Sequence, residues 1–280
     1  GYQAKGSGGE DLSGAVLFKG ETGATTVGVQ RLQYEVSDSQ TGSEVSLSRF
    51  LQVSEGSSTV AVSSLIRLDP SKVKGFLPTS GNTLAWGEGK NGATVSGNSN
   101  AYAFLSTIDS NGKALAVRFF ESLSGQEVSI EDCAASTDGC FFIAGVYKGK
   151  LGYGSYQLAA KGEHNAFIVK LDRNLDLIWS KTFSCSGTLH DLRITEFSGG
   201  DILLGGAFSG NLSTEAGIFS SVAEKDLFVA RMNHSNGLIS WMKRFGGSGD
   251  DSISALKSQG GLIYLAGGVK KTETKAYSFL

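Results

Sequence analysis

The sequence predicts an all-β domain assembled from four-stranded repeats. Three observations carry this. Apolar residues alternate with polar ones at the period of a strand, Asp, Asn and Gly turns punctuate the alternation, and the same strand-turn-strand units return along the chain. No stretch keeps apolar residues at i, i+3, i+4 and i+7 for three turns, so long helices are not expected.

In chain order, "GAVLFKGETG" (Gly14 to Gly23) reads as a single apolar strand, and "RLQYEVSDSQTGSEVSLSRFL" (Arg31 to Leu51) as a hairpin. An insertion, "VSEGSSTVAVSSLIRLDPSKV", lengthens this first repeat. "VKGFLPTSGNTLAWGEGKNG" (Val73 to Gly92) is a strand, a Gly-containing turn and a second strand with Trp86-Gly87 in it. The hairpin form returns in "AYAFLSTIDSNGKALAVRFF" from Ala101, "NAFIVKLDRNLDLIWSKTF" from Asn165 and "DLFVARMNHSNGLISWMKRF" from Asp226. The second form returns in "IEDCAASTDGCFFIAGVYKG", "DLRITEFSGGDILLGGAFSG" and "DSISALKSQGGLIYLAGGVKK". Runs such as "CFFIAG" and "LIYLAGG" are apolar on both faces, as in central strands covered on both sides.

Four strands recurring at roughly 50 to 70 residues are the signature of β-propeller blades. The second form supplies inner strands A and B of a blade, and the hairpin supplies outer strands C and D. The expected organisation is one domain over 1–280, with a closing strand and partial blade in 1–28 and repeats near 29–100, 101–164, 165–225 and 226–280. The last repeat stops after its C strand, "KAYSFL" (Lys275 to Leu280). At the other end, "YQAK" (Tyr2 to Lys5) precedes "GSGGED" much as "WMKRF" precedes "GGSGDD". If Tyr2 to Lys5 serves as the missing D strand, a ring of five blades closes and two open sheet edges disappear. Two alternatives stand beside closure: the sequence is a piece of a longer chain, or end strands are exchanged between protomers to give a dimer or filament.

The stretch "DLFVARMNHSNGLISWMKRFGGSGDDSISALKSQGGLIYLAGG" resembles the bacterial seven-bladed β-propeller repeat (SBBP), whose pattern runs through an aspartate-alanine-phenylalanine-valine strand, a tryptophan strand, "GGSGDD" and "GNIYVTG". The resemblance is clearest over 101–280, and the copies from Asn165 and Ala101 lack "GGSGDD". It implies a propeller of a kind typical of secreted or envelope proteins of bacteria, and says little about activity.

Composition narrows the function classes. A net charge of −2, with no basic run, lacks the electrostatic footprint of a nucleic-acid binder. No apolar run approaches the ~20 residues of a membrane-spanning helix, so a membrane role is expected only through a lipid anchor preceding "GYQAKGSGGEDLSG". Cys133, Cys140 and Cys185 are not in a CxxC pattern and allow at most one bridge, with every pairing open and buried free thiols an alternative. His164, His190 and His234 show no metal-ligand spacing.

Acidic residues recur just before the innermost strand: Glu10 and Asp11, Glu131 and Asp132, Asp191, Asp250 and Asp251. Converging from several blades, Asp132, Asp191, Asp250 and Asp251 are candidate ligands for Ca²⁺, or could supply the acid and base of a glycosidase. Each can equally accept hydrogen bonds from turn amides. Acids at repeated positions favour architecture over catalysis, because a catalytic set breaks the repeat. Trp179 and Trp241 recur in strand D, and Phe104, Phe167, Phe228 and Phe279 recur in strand C, which suits packing between blades. The most varied stretches are "KLGYGSYQLAAKGEH" and "NLSTEAGIFSSVAEK", where binding to a rigid scaffold would sit.

The functional expectation is a non-catalytic secreted or cell-surface propeller acting as a binding or assembly scaffold for a protein or glycan partner. The alternative is a glycosidase-like enzyme using carboxylates at the central channel. No catalytic residue and no cofactor are assigned, Ca²⁺ being the one ion the acids suggest.

Overall fold

The computed structural model describes residues 17–19, 28–38, 43–53, 65–66, 71–89, 102–110, 113–270 and 276–279. Side chains are described for 73–89, 102–110, 113–222 and 224–269. The fold is all-β with antiparallel pairing throughout, and no α-helix occurs among the described residues. Tyr2 to Lys5, Glu10 and Asp11 lie outside the described residues.

Among the described residues the first elements are β1 (Leu17–Lys19), β2 (Gly28–Asp38), β3 (Ser43–Val53) and β4 (Leu65–Ile66), paired in that order as one sheet. Unit 1 is the meander β5 (Ser71–Pro78), β6 (Asn82–Gly89), β7 (Tyr102–Asp109) and β8 (Ala114–Ser122). Unit 2 has β9 (Val128–Ala135) and β10 (Phe141–Tyr147), then a small hairpin of β11 (Leu151–Tyr153) and β12 (Tyr156–Leu158), then β13 (His164–Leu171) and β14 (Leu177–Cys185). Unit 3 is β15 (Leu189–Glu196), β16 (Ile202–Thr214), β17 (Gly217–Met232) and β18 (Ile239–Phe245). Unit 4 consists of β19 (Ser252–Gln259), β20 (Leu262–Lys270) and β21 (Ala276–Phe279). Units 2 and 3 are joined through β14 and β16 into an eight-stranded sheet. Strongly curled antiparallel sheets, one forming a half-barrel, are compatible with a propeller-like arrangement.

Local chemistry explains the repetition. Each turn from the third to the fourth strand of a unit is built on an Asx side chain. Asp109 Oδ1 accepts from Lys113 N at 2.8 Å, Asp172 Oδ1 accepts from Asn174 N and Asp176 N at 2.8 Å, and Asn233 Oδ1 accepts from Ser235 N at 3.0 Å. A register shift follows in each hairpin, at Thr107/Ile108, Lys170/Leu171 and Arg231/Met232. The first strand of every unit carries a bulge of its own, at Val73/Gly75, opposite Ala144/Gly145, at His190/Arg193 and at Ile253/Ala255. Such bulges sharpen the twist that brings the next sheet face to face.

The core lies between sheets. On β10, Phe142 and Ala144 join the cluster shared with unit 3, and Phe141 and Ile143 join the one shared with unit 1. This two-sided burial is what the run "CFFIAG" anticipates. The equivalent run on β20 behaves differently: Leu262, Ile263 and Tyr264 are exposed, Tyr264 at 49%. Tyr264 sits at the place of Phe142 and Leu203, both fully buried against the following unit. Unit 4 has no described following unit to cover that face.

Candidate functional site

The recurrent acids among the described residues lie on or beside the first strands of units 2, 3 and 4. Asp132, on β9, accepts from Cys133 N at 3.0 Å through Oδ1 and from Ile194 N of β15 at 3.0 Å through Oδ2. Burial raises its pKa above the ordinary carboxylate value, although the two amides and the nearby Arg193 and Lys257 charges pull the other way. Its neighbour Glu131 accepts from Ser129 Oγ at 2.9 Å and lies 3.7 Å from Lys74 Nζ of β5, which also donates to Ser129 Oγ at 2.6 Å. On β15, Arg193 Nε donates to Ser254 O of β19 at 2.9 Å. Side chains at one level of the first strands therefore stitch β5 to β9, β9 to β15 and β15 to β19.

A second stitch lies at the far end of the same strands. Glu196 Oε1 of β15 accepts from Ser136 Oγ, Thr137 N and Thr137 Oγ1 of unit 2, each at 2.9 Å. In that same turn, burial would raise the Asp138 pKa, but the Lys170 ammonium, 2.7 Å from Oδ2, and the Cys140 amide hold it well below the usual range.

The remaining candidates have partners of their own. Asp191 sits on β15 with a left-handed φ of 57° and pairs with His190 Nδ1 at 3.0 Å. Asp250 lies 3.5 Å from Lys225 Nζ, and Asp251 is buried while its N–H donates to Lys225 O at 3.0 Å. Asp251 and the fully buried Asp226 flank Gly246, where a Cβ would stand 2.5 Å from Asp251 Oδ2 and 2.7 Å from Asp226 Cγ. Gly246 has φ 139° and leaves room for both carboxyls, which gives the "GGSGDD" turn its physical reason. Asp226 is paired with Arg244 and accepts from Val222 N at 3.0 Å. Among the described residues no group of three or more His, Cys, Asp or Glu is placed to hold a metal ion, and Asp132, Asp191, Asp250 and Asp251 do not gather into one set.

The two varied connections fold as hairpins rather than free loops. β11 lies along the outer edge of β8, with Leu151 opposite Ser122 and Tyr153 opposite Phe120. The Tyr153 ring is 4.5 Å from that of Phe120, and its hydroxyl donates to Leu175 O at 2.5 Å. In unit 3 the strand β16 is irregular between Ser209 and Asn211, and beyond it Leu212 and Ser213 pair with Cys185 and Ser184 of β14. Each hairpin thus adds a strand to the preceding unit and buries its inner residues. Tyr156, Ile218 and Val222 remain exposed on them.

Of the recurrent aromatic residues, Phe167 and Phe228 pack in clusters that span units, Phe104 packs within unit 1, and the Phe279 side chain lies outside those described. Trp179 Nε1 donates to His234 O in the neighbouring unit at 3.0 Å, and Phe104, Phe167 and Phe228 are buried. All three cysteines are free thiols, with Cys133 and Cys185 buried. Burial raises the pKa of each, most strongly that of Cys133.

Sequence reasoning missed Lys74, Arg193 and Glu196, which join neighbouring units; they occupy no common column of the repeat and so leave no motif. It also missed the edge-covering role of the hairpins. The signal for that role is present in their strand-like ends, "LGY" and "NLST". No helix among the described residues is long and apolar enough to cross a membrane. The chain matches no known family model and no curated protein.

Proposed function

We propose that this chain is a non-catalytic, secreted or cell-surface β-propeller that acts as a binding or assembly scaffold for a protein or glycan partner. One observation carries the reading: three of the recurrent acids, Glu131, Asp132 and Asp250, join neighbouring units, while Asp191 pairs with His190 on its own strand. The Asp132 carboxylate receives the Ile194 amide of the next unit, Glu131 faces Lys74 of the preceding one, and Asp250 pairs with Lys225. Carboxylates engaged in bonds between units rigidify a platform. The platform carries exposed Tyr156, Ile218 and Val222 on hairpins anchored to a neighbouring sheet through Leu151, Gly152 and Tyr153 in one case and Leu212 and Ser213 in the other. Extracellular placement is read from the Gly- and Ser-rich, nearly neutral composition and from the resemblance to the SBBP repeat.

The finer architecture in this proposal is a ring of five blades whose last blade is completed by the N-terminal strand. The exposed Tyr264 face supports it, because the two preceding units bury the same position beneath a following sheet. Deleting Gly1 to Lys5 then lowers thermal stability, and an unchanged melting temperature refutes closure.

The functional test is a panel of bacterial surface polysaccharides and oligosaccharides, scored in parallel for retention on the immobilised chain and for hydrolysis. The scaffold reading expects no turnover, and any glycan retention to weaken in Tyr156→Ala or Ile218→Ser. Turnover abolished by Asp191→Asn or Asp251→Asn overturns it in favour of an enzyme.

A further inference from the structure

We infer that the outer edge of β18 around Phe245 is a strand-addition site for an extended segment of a partner polypeptide carrying an apolar side chain flanked by carboxylates. The inference rests on the scaffold reading and gives it a partner class.

The internal repeat defines the site. The fourth strands of units 1, 2 and 3 carry Phe120, Phe183 and Phe245 at one register position, opposite Ala103, Ala166 and Leu227. On β8 the edge is occupied by β11, whose Tyr153 covers Phe120. On β14 it is occupied by Leu212 and Ser213 of β16. Phe120 and Phe183 are fully buried beneath these additions. β18 ends its sheet, no strand among the described residues pairs with its outer edge, and Phe245 is 48% exposed. The sequence supplies the cause. The connections providing the covering strands span residues 148–163 and 209–225, whereas the corresponding one after β20 spans 271–275, too short for a hairpin that reaches back.

The occupant's chemistry follows from the same comparison. An open edge offers main-chain hydrogen bonds, and the pocket for an alternate side chain gives selectivity. At β8 that side chain is Tyr153, so an aromatic or large aliphatic residue fits over Phe245. Lys243 lies two residues away on the same face and is exposed. A lysine on an open edge disfavours pairing with the same edge of a second copy, since like charges would meet, and it favours an acidic neighbour.

The experiment uses the full chain labelled with ¹⁵N and two synthetic probes. One is the chain's own clasp sequence, KLGYGSYQL (residues 150–158), and the other is that peptide with Glu added on both sides. The expected result is saturable amide shifts confined to 239–247, with exchange in 243–247 slowed about tenfold at saturation and stronger binding of the acidic probe. Phe245→Ser removes the shifts, and Lys243→Glu reverses the preference between probes. Phe245 is half-exposed, so its loss leaves the fold intact, which the unchanged remainder of the spectrum checks. Shifts absent, located elsewhere or unaffected by Phe245→Ser overturn the inference, as does a concentration-dependent dimer lost in Phe245→Ser, which makes a second copy the occupant. Absent shifts alongside glycan retention sensitive to Tyr156→Ala sink this inference alone, whereas glycan turnover sinks the scaffold reading.

Discussion

Gly145 of β10 lies directly opposite Phe167 of β13, and a Cβ built on it would stand 2.5 Å from Phe167 Cε1 and collide with the Ser129 carbonyl oxygen. The pairing recurs as Gly87 with Phe104, Gly206 with Phe228 and Gly267 with Phe279. In units 1 to 3 the ring is buried. The glycine is thus required by the space a neighbouring ring and the bulged first strand take up. Gly145→Ala is expected to destabilise the protein by about 1–3 kcal/mol through overpacking, read from the urea midpoint at constant slope. Gly247→Ala, with nothing within 4 Å of its added Cβ, serves as control. Equal midpoints for the two variants would sink the packing argument.

Phe120 and Phe245 hold one position in the repeat and should answer truncation very differently. Phe120 stacks between Tyr153 at 4.5 Å and Phe167 at 4.6 Å, whereas Phe245 is half-exposed. Phe120→Ala is expected to cost about 3–5 kcal/mol and Phe245→Ala less than about 1 kcal/mol in chemical denaturation. A cost for Phe245→Ala approaching that for Phe120→Ala would mean that the β18 edge is covered in solution.

These two comparisons show which features were legible in the sequence. The hairpins and the paired first strands stand out because alternation, Asx turns and buried apolar runs are local, and the hairpin read from Asn165 onwards is found with its first strand at His164–Leu171. The recurring Gly and Phe columns are also visible, but not that each Gly faces a Phe, since register is a property of two strands. The acids were visible as a recurrence and ambiguous in role, and register separates them: Asp132 lies opposite Ala144, whereas Arg193 and Ala255 hold the equivalent places opposite Gly205 and Ala266. Asp132 is settled as a bond to Ile194, 62 residues away, and no local pattern encodes that distance. Clasping of β8 by β11 is likewise a contact between units, hidden in residues that differ from one copy to the next.

The Asp132 bond gives a prediction separating acceptor from charge. Asn keeps an oxygen for the Ile194 amide but turns its NH2 towards the Cys133 amide, while Ala leaves both amides unsatisfied, so Asp132→Ala should cost about 1–3 kcal/mol and Asp132→Asn less. Because burial raises the Asp132 pKa, the folded state holds its proton more tightly than the unfolded chain, and this group's contribution to stability grows as pH falls. Asp132→Asn should therefore gain on the wild type as pH rises through the raised folded pKa towards 7. Its stability relative to the wild type is measured by thermal melts between pH 4 and 7, and a relative loss on raising the pH would contradict the desolvated environment. Adding EDTA to both proteins separates this from a cation at the acids, which would make the wild type alone lose stability.

Asp138 gives the opposite sign. Lys170 is almost fully buried and donates to Asp138 Oδ2 at 2.7 Å, over the Phe142 ring at 5.4 Å, so its ammonium depends on that carboxylate. The folded pKa of Asp138 lies below its unfolded value, against the opposing effect of burial, so its stabilisation is fully present above the unfolded pKa and is lost as pH falls towards the folded one. Asp138→Asn should be less stable than the wild type at pH 7, by about 1 kcal/mol once solvent screening at the half-exposed carboxylate is allowed for. The gap should narrow below about pH 4, where the unfolded carboxylate takes up its proton and the wild type loses its advantage. Thermal melts of both proteins from pH 7 to 3 measure it; a gap that stays constant over this range would show that the loss comes from turn geometry through the Cys140 amide and not from the Lys170 charge.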